Sequence, residues 1–421
     1  MLSTGTYLLD LTVRNVRCFG PEEQTLRLSD AEGRPAPWTV ILGDNGVGKT
    51  TLLQCLVALE PRRHFFRVTQ EEERPLVELP VDGGWRIYRH PTEAVETSIR
   101  GRATQGRMGQ LSQAVKIVVP TSSATSQEER ARLELQCYGY GASRRLGSAT
   151  MSRNVRADHS ASLFVDDASL IDVEEWLFVE DYARSKGATV TPRLERVKKV
   201  VIDLLPDAKD LRVGWRQVRP VLEVKTPYGW VSISDLSLGY RTMIAWTVDL
   251  ASRLFALHPD SPNPLAEPAV VLVDEVDLHL HPKWQRELRS HLTERFPATQ
   301  FVVTAHSPLV VQASENENIV VLRREGDHVV IDNDVETVRG WRVDQVLTSD
   351  LFGLQTARPP QYDELIARRN AILGKRSLDP EDRVALERLE ARIAELPAGE
   401  RQEDLRAMDI IQRAAAKLVR R

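Results

Sequence analysis

The chain has 421 residues and a formal net charge of -4, so no global basic field marks it for nucleic acid, although a local patch could still bind phosphate. Its 42% hydrophobic and 28% charged residues are the balance of a folded globular protein and argue against disorder. Cys18, Cys55 and Cys137 lie far apart without metal-ligand spacing, which argues against a zinc site or a disulfide framework and suits a reducing cytoplasm.

Residues 7–17 (YLLDLTVRNVR) alternate apolar and polar side chains, the pattern of a half-buried strand rather than a signal peptide. No apolar run is long enough to span a bilayer, so the expectation is a soluble, cytoplasmic protein without membrane contact. WTVIL at 38–42 predicts a buried strand, and TLLQCLVAL at 51–59 a helix that stops near Pro61. Residues 60–130 are less regular, with acids at Glu71, Glu72 and Glu73, and predict insertions and loops around a few strands. LELQCYGYG at 133–141 predicts another strand running into a glycine loop.

Two helical patterns follow, DVEEWLFVEDYARSK and TPRLERVKKVVIDLLPD. The second aligns Leu194, Val197, Val201, Leu204 and Leu205 along one stripe. GWRQVRPVLEVKTPYGWVSI predicts a hairpin, and residues 236–257 a long helix. AVVLVDEVD and QFVVTAHS are nearly uninterrupted apolar runs, as central parallel strands require. NIVVLRREGDHVVID predicts a hairpin, and from about residue 342 the chain turns helical, with charged helices at 361–373, 380–396 and 400–420.

Gly43-Asp44-Asn45-Gly46-Val47-Gly48-Lys49-Thr50 satisfies G-x-x-x-x-G-K-[ST], between a predicted strand and a predicted helix. Glycines let backbone N–H groups wrap a phosphate, and the helix N-terminus adds partial positive charge. Lys49 is expected to reach the β- and γ-phosphates and Thr50 to offer its hydroxyl to Mg²⁺; the nucleotide-binding stretch extends to Thr51. Asp274 and Glu275 end an apolar strand, where an acidic pair is costly unless a cation or water uses it. Asp274 is therefore the expected metal-side carboxylate and Glu275 the group that polarises the attacking water. His306 ends the next apolar strand and is expected to contact the γ-phosphate or that water.

Together these motifs resemble an ABC-type ATPase of the SMC and DNA-repair branch. Leu236-Ser237-Leu238-Gly239-Tyr240 stands where that family has its signature sequence, and Val276 to Pro282 resembles its D-loop. The resemblance implies an α/β head with a mixed central sheet, a helical insertion and a C-terminal helical tail. It divides the chain into an ATPase domain at 1–340, with an insertion and helical lobe at about 60–235, and a region at 341–421 for partner or self-association. It also implies ATP and Mg²⁺ as ligands, Glu275 as catalytic base, His306 as switch histidine, and Ser237 and Gly239 facing the phosphate held by another copy. A homodimer or higher homo-oligomer follows. Tyr240 replaces the usual glutamine, the Q-loop falls either at Gln136 or at Tyr138-Gly139-Tyr140-Gly141, and no long coiled-coil arm interrupts the head.

More narrowly, LSLGYRTMIAWTVDLASRLF, VLVDEVDLHLHPKWQREL, FVVTAHSPLVVQA and GWRVDQVLTSDLFGLQTARPP resemble the ATPase subunit of Septu-type and retron-associated antiphage systems. That resemblance implies a sensor or scaffold controlling a separate HNH-type nuclease, with no nuclease activity in this chain. The alternative is a repair ATPase acting directly on DNA; a transporter motor fits the signature and tail less well. Arg144, Arg145, Arg153 and Arg156 form an acid-free cluster that suits either DNA or the bound triphosphate. Arg14 and Arg17 resemble a nucleotide-contacting segment but suit a surface strand equally. Trp176, Trp215, Trp230, Trp246 and Trp284 read as core or interface residues, His279 and His281 as D-loop packing rather than a metal pair, and Asp332-Asn333-Asp334 as a hairpin turn.

Overall fold

The computed structural model describes residues 6–58, 136–144, 159–178, 191–204, 208–354 and 362–394, with short gaps, and the backbones of strands within 65–118. The predicted helix at 400–420, Leu205, Trp176, Arg145, Arg153 and Arg156 lie outside the described residues. The chain divides into compact units at Met1–Val346 and Leu347–Arg421.

The first unit opens with β1 (Thr6–Arg14), β2 (Gln24–Arg27) and β3 (Trp38–Gly43), then α1 (Lys49–Ala58). β4 (Phe65–Thr69) and β5 (Glu72–Pro75) pair as a small antiparallel ladder. β6 (Asp82–Arg89), β7 (Glu93–Gln105) and β8 (Leu111–Val118) join the first two strands in an antiparallel sheet of order β2-β1-β6-β7-β8. The segment expected to hold insertions and loops around a few strands contributes β4 to β8, whose polar residues obscure the alternation. β9 (Cys137–Tyr140) and α2 (Thr191–Leu204) follow. β10 (Asp210–Arg216), β11 (Arg219–Thr226) and β12 (Gly229–Ser232) make a three-stranded meander where a simple hairpin was expected.

α3 (Leu238–Leu257), β13 (Ala269–Val273), α4 (Pro282–Arg295), β14 (Thr299–Thr304), α5 (Pro308–Gln312), β15 (Asn318–Glu325) and β16 (His328–Asp332) complete the main sheet and its cover. Its order is β16-β15-β3-β14-β13-β9, all parallel except the β15–β16 hairpin. β13 and β14 are buried along their whole length because this sheet is covered on both faces, which their unbroken apolar runs anticipate.

The main core joins the two large sheets through α1. Leu11, Val13 and Leu26 of the antiparallel sheet share one cluster with Leu52, Leu53 and Leu56 of the helix and with Ile41, Leu272 and Val302 of the parallel sheet. Gln300 ties the sheets further: its amide accepts from the Leu8 N–H and donates to the Leu8 carbonyl, both at 2.8 Å. Such pairing removes the penalty of burying an amide in an apolar layer. Beside β9, the Trp246 ring of α3 lies 5.4 Å from that of Tyr140. Trp284 is also buried, whereas Trp215 is 70% exposed on the meander, which rules out the core half of its expected core or interface placement. Arg212 stacks over Trp230 at 4.0 Å.

After α6 (Val343–Thr348), the second unit contains α7 (Asp363–Leu373) and α8 (Pro380–Ala394). Arg369 pairs with Glu390 across these two helices, at an exposed site where such a bond contributes little. No helix among the described residues is long and apolar enough to cross a membrane.

Candidate functional site

The strand order creates the site. β14 lies between β3 and β13, so the loop after β3, the carboxylates after β13 and the segment after β14 emerge side by side at the carboxyl ends of adjacent strands. Open parallel sheets bind ligands at this edge.

The loop after β3 turns through Gly43, Gly46 and Gly48, at φ of 143°, 81° and 91°. These are conformations that side chains with a Cβ resist. At Gly43 a Cβ would also meet the Leu322 carbonyl oxygen at 2.7 Å. The loop encloses Lys49, whose Nζ donates to the carbonyls of Gly43 and Asp44, each at 2.7 Å. Burial lowers the Lys49 pKa, against the opposing pull of Asp274, Glu275, Asp44 and Asp277. Thr51, two residues further on α1, receives a hydrogen bond from Arg17, which also donates to Gln54.

Asp274 is buried, and its carboxylate links the end of β13 to the first turn of α1 and the end of β14. Oδ2 accepts from Thr50 Oγ1 at 2.7 Å, and Oδ1 accepts from Thr304 Oγ1 at 2.6 Å. Thr304 Oγ1 also accepts the Glu275 N–H at 2.7 Å. Glu275 has φ 45°, a left-handed conformation rare for a residue with a long side chain. Arg144 donates to the carbonyls of Asp274 at 2.6 Å and Glu275 at 2.8 Å. Burial depresses the Arg144 pKa to about 10, despite the three neighbouring carboxylates Asp274, Glu275 and Asp277.

Asp277 Oδ2 accepts the His306 backbone N–H at 3.0 Å, joining the loop after β13 to the loop after β14; the histidine itself is exposed. Ser237 is the N-cap residue of α3 but makes no capping bond with its side chain. Gly239 packs so closely on the His279 carbonyl that an added Cβ would fall on that oxygen. The turn that opens α3 therefore abuts the loop after β13 in its own chain. A cavity of about 580 Å³ opens between Ala142–Arg144, the first turn of α3 and Leu278–His279.

The cradle residues, Asp274 and Glu275 are thus drawn together around Thr50 and Thr304. Thr304, Arg144 and Asp277 join them without having been singled out for this role. A polar residue closing an apolar strand is the signal that could have found Thr304, whereas nothing in its sequence context distinguished Arg144 from the neighbouring arginines. The DNA-facing alternative for Arg144 is corrected: it is 3% exposed and occupied by backbone carbonyls. Arg17 lies against α1 rather than serving only as a surface-strand residue. His281 Nδ1 accepts the Lys283 N–H and caps α4.

The family model described as "AAA domain" matches residues 10–59, and that described as "AAA domain, putative AbiEii toxin, Type IV TA system" matches residues 150–312. The chain is 27% identical to "Septu protein PtuA" of Bacillus mycoides (strain KBAB4), over 85% of this chain and 46% of that protein. It is 32% identical to "Retron Ec83 probable ATPase" of Escherichia coli, over 42% of this chain and 31% of that protein. The aligned regions therefore span less than half the length of either relative. Among solved structures, it is similar to the Smc head domain bound to the C-terminal domain of ScpA derived from Pyrococcus furiosus. That match has a TM-score of 0.44 and 14% identity, covering 77% of this chain and 96% of that one.

The glycine loop, the acidic strand beside it and the mixed α/β sheet together form a candidate nucleotide-phosphate site, within a chain that two AAA-domain models match in part. The curated relatives it resembles are Septu and retron proteins.

Proposed function

We propose that the chain binds ATP with Mg²⁺ at Gly43–Thr51, hydrolyses ATP with Glu275 as general base, and closes a homodimer or higher oligomer through Ser237 and Gly239. The observation that carries this reading is the placement of Asp274 between Thr50 and Thr304, which joins the phosphate-loop helix to the acidic strand. The hydroxyl and carboxylate oxygens there are hard donors suited to Mg²⁺, with phosphate and water completing its shell. Among the described residues, no group of three His, Cys, Asp or Glu forms a metal site. Thr50 and Asp274 are therefore the protein groups proposed to hold the ion.

Bound Mg²⁺-ATP supplies the transferable phosphoryl group and the charge neutralisation it requires. Lys49 exchanges its Gly43 and Asp44 carbonyl partners for phosphate oxygens. The Glu275 carboxylate accepts a hydrogen bond from the attacking water and orients it. His306 contacts the γ-phosphate or this water, while Ser237 and the Gly239 N–H of a second copy contact the γ-phosphate. Each copy then contributes to the other's site.

The names of the relatives favour an antiphage role over direct DNA repair. In that role the chain acts as a nucleotide-gated sensor or scaffold in the cytoplasm, controlling a separate HNH-type nuclease. The central test compares the wild-type chain with Glu275→Gln for phosphate release and for ATP-dependent mass by light scattering. The variant is expected to lose turnover and accumulate the ATP-bound oligomer. Phosphate release at the wild-type rate would refute the assignment of the base. Native copurification tests the nuclease partnership; recovery of only this chain under ATP-trapping conditions argues against it.

A further inference from the structure

Arg144 presents an unusual use of charge. Its guanidinium is buried but donates to backbone carbonyls, at Asp274 and Glu275, rather than pairing with a carboxylate in either of these two bonds. Burying a cation in this way is costly, and the cost goes into holding main chain. That main chain belongs to the proposed general base.

The four groups around Glu275 explain what the arrangement accomplishes. The peptide before its Cα is held at both ends: Arg144 binds the Asp274 carbonyl, and Thr304 Oγ1 accepts the Glu275 N–H. The following peptide is also held at both ends: Arg144 binds the Glu275 carbonyl, and the Thr304 carbonyl accepts the Val276 N–H at 2.9 Å. Both backbone torsions of Glu275 are thereby fixed, including its left-handed φ of 45°. Fixing both peptides sets the direction in which the side chain leaves the backbone.

We propose that Arg144 is a positioning residue for hydrolysis, a two-pronged clamp that aims the Glu275 carboxylate by fixing the peptides on either side of it. This rests on the reading of Glu275 as the base. The clamp requires a fork: guanidinium presents separate N–H donors in a rigid plane, whereas a lysine ammonium is a compact point charge without that planar arrangement. Thr304 grips the same two peptides from the neighbouring strand, so the clamp works against a fixed jaw. Because neither residue is assigned a direct phosphate contact, loosening the clamp should impair turnover more than nucleotide binding.

The test measures kcat by phosphate release, ATP affinity by equilibrium titration, and Tm for the full chain carrying Arg144→Lys or Arg144→Ala. Glu275→Gln is measured in parallel. The expected result is a fall in kcat of about 10-fold for lysine and about 100-fold for alanine, the scale associated with misplacing a reacting group. ATP affinity is expected to remain within about twofold, the signature of a group that acts on turnover rather than binding. Wild-type kcat in Arg144→Ala would overturn the clamp, as would parallel losses of kcat, affinity and Tm. If alanine prevents folding, Arg144→Lys decides, and wild-type kcat in that variant overturns the two-pronged assignment. If Glu275→Gln itself retains wild-type turnover, the underlying assignment of the base fails. If Glu275→Gln loses turnover while Arg144→Ala retains it, only the clamp fails.

Discussion

Thr304 Oγ1 donates to Asp274 at 2.6 Å and accepts the Glu275 N–H at 2.7 Å, so one hydroxyl serves both carboxylate-bearing residues. Thr304→Val preserves side-chain shape while removing both bonds. It should destabilise the folded chain by about 1–3 kcal/mol, because the buried partners lose their hydrogen bonds. It should also reduce turnover while leaving ATP binding measurable. Urea unfolding, phosphate release and nucleotide titration check these three outcomes.

Lys49→Ala is expected to abolish the thermal stabilisation conferred by Mg²⁺-ATP. At ligand concentrations of about 100 times Kd, binding should stabilise the wild-type chain by about 2.7 kcal/mol. Without nucleotide, the melting temperature should change little: the lost bonds to Gly43 and Asp44 are offset by removing a buried cation. Scanning fluorimetry with and without Mg²⁺-ATP checks both outcomes. Addition of EDTA should remove the magnesium-dependent part of the wild-type shift.

Ser237 and Gly239 should behave differently on substitution. Ser237 makes no capping bond with its side chain, so Ser237→Ala should leave the melting temperature nearly unchanged while weakening ATP-dependent oligomerisation. Gly239→Ala drives a Cβ onto the His279 carbonyl and should destabilise the chain even without ATP. Light scattering and thermal melts separate these effects. Equal melting losses in the two variants would contradict the packing explanation.

Tyr140 donates to buried Asp249 at 3.0 Å, and Arg253 donates to the same carboxylate oxygen at 2.7 Å. Tyr140→Phe should cost about 1–3 kcal/mol in urea unfolding, the scale for disturbing a buried charged partner. Burial, reinforced by Asp249, raises the Tyr140 pKa well above its ordinary value of 10.0. The folded chain therefore binds this proton more tightly than the unfolded chain. Its stabilising contribution is complete below pH 10.0 and declines as pH rises through the folded value. Stability measured across alkaline pH should fall less steeply in Tyr140→Phe than in wild type.

The glycine turn after β3 and both central strands were legible because their signals are local: glycine spacing, strand-length apolar runs and carboxylates at a strand end. The antiparallel strands within 65–118 were less legible because their composition is polar and broken by glycine, leaving alternation weak. The meander was taken for a hairpin because only the break between β11 and β12, at Pro227-Tyr228-Gly229, carries strong turn residues. Arg144 illustrates a different limit. Its role depends on β9 lying beside β13, a neighbour relation between residues 130 positions apart. No short motif records that proximity, so the arginine was grouped with its sequence neighbours instead.

The bonds from Arg144 meet peptide carbonyls, which every amino acid possesses. The geometry of the turn is consequently separable from the reactivity it displays: residue 275 can be exchanged without deleting an acceptor from the grip. Glutamine at this position should preserve the local trace while removing the ionisable group. The same design would let related chains vary chemical competence on an unchanged support, keeping a nucleotide-responsive shape even where turnover has been lost.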